Sequence, residues 1–343
     1  MQDNNPDATV VASFQQAVAK AAASPTASRG PNRLLLAGGA VVAIAVIGGV
    51  GWLWETRQRP TPPTPFVAAH QINSASPTSQ PATPARTEAD ILNEDVDTVT
   101  AAWFAPNPNI LVIDFPNLTV QGQAFNRIAA FIEKRGLSHD HVLDDAELAD
   151  AIRADNSTVE TYYYGHDYRA ADIQRFYAAV DAQHLPLSRP ELDLRAMLTR
   201  EGFLTPNANK AVISIPRKGS DPFVDASGRQ SLLRHELSHG EYFTNPVFAA
   251  YVQKFWSSRM TEVDRATFRG FLTRQGYDPD NEDLMANETQ AHLMNTTDRR
   301  YFNAVACGLP VARLRELRAE FLADMPQGWL RDAMKAMTPR LPQ

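Results

Sequence analysis

The sequence predicts an α+β fold, mostly helical, with a small sheet and one transmembrane helix ahead of it. Three observations carry this. Apolar residues recur at helical spacing through most of the chain beyond residue 106. Two short β-branched runs interrupt them, NILVIDFPN (109–117) and AVISIPR (211–217). One uncharged stretch of 21 residues, Leu34 to Trp54, stands near the N-terminus. At about 1.5 Å per residue it matches the roughly 30 Å hydrocarbon thickness of a bilayer.

Residues 1–33 are polar and Ala-rich without strong periodicity, and read as a disordered cytoplasmic tail. Residues 34–54 read as an uncleaved signal anchor. The run is too long for a signal-peptide core, and no small-x-small site follows Trp54. Lys20, Arg29 and Arg33 precede it and Arg57 and Arg59 follow, a slight bias for an inside N-terminus. The expected location is the inner (cell) membrane, single-pass, with the rest periplasmic or otherwise extracytoplasmic. Residues 55–105 are expected to be a spacer, because Arg59 to Arg86 is rich in Pro, Ser and Thr and cannot form a core.

The folded domain is expected over 106–343. A strand over 109–117 leads to a helix carrying Phe125, Ile128, Ala129 and Ile132, stopped by Gly136. Helices follow over Asp144–Ala154 and Ala170–Gln183, then the strand Ala211–Arg217. Further helices are expected over Arg229–Phe243, Val247–Ser258, Glu262–Gln275, Asp283–Met294 and Val311–Asp324. The formal net charge of −6 gives no basic footprint for nucleic acid. Cys307 is the single cysteine, so neither an internal disulfide nor a thiolate zinc cluster can form. A metal site must therefore use His, Asp or Glu.

RHELSHGEYF (234–243) supplies the chemistry. On a helix, His235 and His239 are one turn apart and present ring nitrogens to the same point. Glu236 is offset round the helix, beside a metal rather than on it, where it can exchange a proton with an attacking water. Gly240 stands where a side chain would be expected to crowd the site. A third ligand is sought downstream in LMANETQAHLMNT (284–296), where Glu288 and His292 share a helix face.

These residues resemble the gluzincin metallopeptidases, in which HExxH on one helix is completed by a glutamate on a later helix. The resemblance covers 211–296 at most and implies a zincin-like catalytic domain. It implies His235, His239 and Glu288 as zinc ligands and Glu236 as general base. The gap from His239 to Glu288 is 49 residues, against about twenty in thermolysin-like members. By the same resemblance, Ala211–Arg217 would be the edge strand that aligns a peptide or protein substrate by backbone pairing.

Glu282 is a rival third ligand, ranked below Glu288. His292 is read as a catalytic hydrogen-bond donor, with a ligand role open beside it. Tyr242 and Tyr301 are candidate oxyanion donors. HDHVLDD (139–145) reads first as a solvated loop with a helix cap, and TYYYGHDY (161–168) as a half-buried strand or turn. Cys307, in an apolar setting, reads as an inert thiol. The functional expectation is a membrane-anchored zinc metallopeptidase. The alternatives are a non-catalytic envelope protein stabilised by zinc, or a zinc hydrolase acting on a cell-wall crosslink.

Overall fold

The computed structural model describes residues 82–337. The tail, the apolar run Leu34–Trp54 and most of the spacer lie outside them. Among the described residues no helix is long and apolar enough to cross a membrane.

Five strands form one mixed sheet: β1 (Ala85–Arg86), β2 (Thr100–Phe104), β3 (Ile110–Phe115), β4 (His166–Arg169) and β5 (Ala211–Pro216), in the order β1-β2-β3-β5-β4. β3 and β5 run parallel, while β2 and β4 flank them antiparallel. Every residue of β3 and β5 is buried, because helices cover both faces. Such two-sided burial explains why both strands read as continuous apolar runs rather than alternations.

One face is covered by α2 (Leu118–Ile132), α4 (Ala170–Gln183) and α5 (Arg189–Arg200), through Phe125, Ile128, Phe176 and Leu198. The other receives α1 (Glu88–Asn93) and α6 (Ala226–Thr244), whose Ile91, Leu233 and Leu237 pack on Ile110, Val112, Ile213 and Ile215. Burying each of these side chains contributes about 1.5–3 kcal/mol. Following α2 in the chain and packed beside it is α3 (Asp145–Ala154), begun by an Asp144–Glu147 capping box.

After α6 the chain is helical: α7 (Pro246–Lys254), α8 (Glu262–Arg274), α9 (Glu282–Gln290), α10 (Ala304–Cys307), α11 (Val311–Asp324) and α12 (Trp329–Met337). Their core gathers Phe248, Trp256, Phe268, Phe302, Leu317 and Phe321. Helix α6 therefore lies between the sheet and this helical part.

Three expectations are corrected. The fold begins before residue 106, since β1, α1 and β2 precede it; α1 is opened by a Thr87–Asp90 capping box. Ala211–Pro216 is interior, paired with β3 on one side and β4 on the other, and the edge strand on that side is His166–Arg169. Gly240 does not face the histidines. A Cβ there would stand 2.8 Å from Ile110, so its bareness lets α6 settle on the sheet.

β4 alternates. His166 and Tyr168 turn into the sheet core, His166 stacking on Phe125 at 4.9 Å. Its Nδ1 meets Ser214 Oγ at 2.9 Å, and burial holds the ring down at about 3. An unfolded histidine binds a proton below about pH 6.5, whereas this one stays neutral to about 3. Its folded value is depressed, so the unfolded state binds more protons between those limits and stability falls as pH drops from about 6.5 toward 3. The expected outcome is that His166→Gln flattens the unfolding free energy, read from urea titrations, against pH in that window, by up to about 1.4 kcal/mol per pH unit.

Candidate metal centre

Helix α6 starts at Asp225, whose carboxylate accepts from Gly228 N at 2.8 Å. It ends at Asn245, which caps α7 in turn, with Pro246 in that helix's first turn. One face docks on the segment after α9. Ser231 Oγ accepts from Thr297 N and Asp298 N at 2.9 and 3.1 Å. Two turns on, Gln290 donates to Ser238 Oγ at 3.1 Å. His235 lies between these clamps.

Helix α9 continues into a π-helical turn, Ala291–Asn295, closed by Thr296 N to Ala291 O at 3.0 Å. It presents Glu288 and His292 toward α6. His235 Nε2 and His239 Nε2 are 3.1 Å apart. Glu288 Oε2 is 3.6 Å from His235 Nε2, and Oε1 is 3.6 Å from His239 Nε2. Donors around a tetrahedral zinc stand roughly 3.3 Å apart when each bond is about 2.0–2.1 Å. The residues therefore fit a divalent ion.

Two further observations support the fit. Thr296 Oγ1 lies 2.8 Å from His235 Nδ1 and 3.2 Å from Ala291 O. With its proton given to that carbonyl, the hydroxyl accepts from Nδ1–H, which leaves the Nε2 lone pair facing Glu288. Glu288 Oε2, although buried, has no hydrogen-bond partner.

The electrostatics point the same way. Burial holds His235 and His239 down at about 4, neutral and ligand-ready at pH 7. Burial, with repulsion from Glu288 and Glu133, pushes Glu236 well above the carboxylate range. Asp167 is raised by burial and by the carboxyls of Glu236, Glu133 and Glu288. Glu133 is pushed to about 8 by burial, then by Glu288. The adjacent cation, Lys134, is paired with Asp155 at 2.7 Å. A cluster of buried acids with so little positive charge is the setting a divalent cation complements.

Glu236 stands beside the donors. Its carboxyl bonds Asp167 of β4, and its Oε2 has no partner. A Cβ on Gly165 would stand 2.1 Å from Glu236 Oε1, so a side chain there would push this carboxyl out of its place beside the donors. Asp167 also lies 3.9 Å from His239 Nδ1.

A cleft of about 490 Å³ opens over the site, lined by Tyr162 to Gly165, Phe223, His235, Glu236, Tyr277, His292 and Tyr301. His239 and Glu288 lie beneath its floor, with 0% and 1% exposure.

The other candidates disperse. Glu282 accepts from Trp256 Nε1 at 2.8 Å and pairs with Arg269. Tyr242 donates to Asp283 at 2.5 Å, and Tyr301 donates to the Phe223 carbonyl at 2.5 Å, so neither hydroxyl is held ready for an oxyanion. Asp144 caps α3, while His141 pairs with Glu147. Among the described residues, potential metal-holding groups occur around Glu288 and not at 139–145. Cys307 is buried, and burial pushes its thiol up to about 12. Sequence reasoning missed Gly165, Asp167, Thr296 and Glu133. The signals were a lone glycine before a strand and carboxyls with no visible partner. The chain matches no protein-family model, no curated protein and no solved structure.

Proposed function

We propose that this chain is a zinc-dependent metallopeptidase, held at the membrane by residues 34–54 with its catalytic domain outside the cytoplasm. One observation carries the reading: two imidazoles one helical turn apart and a distant carboxylate converge at 3.1–3.6 Å beside a buried glutamate facing a cleft. His235, His239 and Glu288 would hold the ion. When bound, zinc supplies Lewis acidity that polarises a carbonyl and makes water acidic near neutral pH. Glu236 takes the proton from the attacking water and passes it to the leaving amine. Asp167 and the bare backbone at Gly165 hold Glu236 in place.

The substrate is an extended peptide or protein segment. The free side of β4 runs from the cleft to a hollow of about 400 Å³ lined by Arg169, Tyr242, Phe243 and Asp283. Backbone pairing along that edge aligns the chain, and the two hollows take side chains on either side of the cut bond.

A second reading, a metal-stabilised binding module or a hydrolase of cell-wall crosslinks, draws support from the tyrosine-lined cleft and from His292. The test is metal content with hydrolysis. The purified full-length chain is expected to hold one zinc and cleave a peptide library, and His239→Ala to lose both. One bound zinc with no peptide cleaved favours the second reading. A chain that binds no divalent ion rules out both.

A further inference from the structure

We infer that His292 is a fourth ligand of the same centre, so that the resting site is closed on its cleft side until substrate displaces that imidazole. The inference rests on the metal reading above. His292 Nε2 is 3.8 Å from Glu288 Oε2. Donor atoms of His235, Glu288 and His292 all lie within 4.8 Å of one another.

The surroundings fix the ring in that direction. His292 is 9% exposed. Its ring meets Phe271 edge-on at 5.0 Å, leans on Phe302 at 5.5 Å and crosses His235 at 4.7 Å. Its Nδ1 faces Thr296 Oγ1 at 3.5 Å, the hydroxyl that also meets His235 Nδ1. One threonine therefore sits behind both rings, opposite Glu288.

Position decides what such a ligand does. Of the four donors, His235 and His292 line the cleft, while His239 and Glu288 are beneath it. Water or substrate would reach a bound ion from the cleft, so a displaceable ligand would be one on that side. His292 is on that side, and unlike His235 it is not one of the HExxH pair.

His292 belongs to the π turn Ala291–Asn295 rather than to regular α-helix. Such turns hold one residue more per loop than α-helix and recur at functional sites. Relaxing the bond from Thr296 N to Ala291 O toward α register turns this segment about its axis and draws the imidazole off. With the imidazole drawn off, an open position would face the cleft beside Glu236, where water or a neutral donor of the substrate would enter without any covalent change.

Cobalt(II) reports the ligand set without reference to turnover. The cobalt-loaded full-length chain is expected to give a four-coordinate visible spectrum that free imidazole leaves unchanged. His292→Ala is expected to bind cobalt and zinc more weakly, by at least the 10–100-fold that loss of even a supporting partner costs. Its spectrum should shift on adding imidazole, which fills the opened position. His292→Cys should regain affinity and show a thiolate-to-cobalt charge-transfer band, a signal that a merely packed residue would not give. A parent spectrum that responds to imidazole as readily as that of His292→Ala would overturn the inference and leave the metal reading intact. The parent measurement needs no variant to fold. Failure of the parent to bind either ion would remove both.

Discussion

Glu236→Gln is expected to abolish peptide cleavage while the zinc content stays at the parental level. The change removes one negative charge and one proton acceptor and keeps the side chain's length and shape. It removes none of the proposed ligands, since Glu236 is beside His235 on α6 and its carboxyl meets Asp167 and the cleft. Glutamine can still accept from Asp167 through its amide oxygen, so the 4% exposed pocket under Gly165 stays filled. What is lost is transfer of the proton from water to the leaving amine. A positioned general acid–base contributes typically about 10²–10⁴-fold, so kcat/KM on any cleaved peptide should fall by at least that range. The loss should appear in kcat, with KM little changed, because no substrate-binding group is removed. Metal content and kcat/KM measured on one preparation decide the matter. If the variant cleaves at the parental rate, Glu236 is not the base.

The α+β class and the long helices were legible because each carries its own period. Ala170–Gln183 and Val311–Asp324 are helices over the limits their apolar spacing suggests. The HExxH pair was legible for the same reason, since a four-residue offset on a helix fixes where two rings point. Glu288 was reached through the resemblance, on a second helix that the apolar spacing does suggest. What escaped depends on partners far off in sequence. HDYR has four residues with two charges, and its strand character exists only because Ser214, Ile213, Val212 and Ala211 lie opposite it. That pairing made β4 the edge on that side and moved Ala211–Pro216 inside. Asp167 was unremarkable for the same reason, since its meaning comes from Glu236 69 positions later. Residues 87–105 were read as a continuation of the Pro-, Ser- and Thr-rich run that ends at Arg86, and β1, at two residues, carries no alternation that would mark a strand.

Arg229 was also silent in the sequence, and Arg229→Met is expected to lower stability by about 3–5 kcal/mol. Arg229 is 1% exposed and Asp114, on β3, is 3% exposed. Its two terminal nitrogens meet the two Asp114 oxygens at 3.0 and 2.5 Å, a bidentate pair. They also donate to the carbonyls of Pro216 at 2.5 Å and Ile91 at 2.9 Å. One guanidinium thus ties the first turn of α6 to β3, to the end of β5 and to α1. Methionine fills much of the volume but leaves a buried carboxylate and two carbonyls unpaired, and that deficit sets the size of the loss. Asp114→Leu combined with Arg229→Met should recover part of it, since the stranded charge is then gone, but not the two carbonyl bonds. Urea unfolding in chelator measures the loss directly. His235 follows Arg229 on the same helix by under two turns, and binding an ion at that end requires the folded helix. Free zinc at 1,000 times its dissociation constant should therefore return about 4 kcal/mol to parent and variant alike. The variant is expected to be largely folded in zinc and to unfold when the ion is withdrawn. If zinc raises the urea midpoint of neither protein, the histidine pair and Glu288 do not hold it.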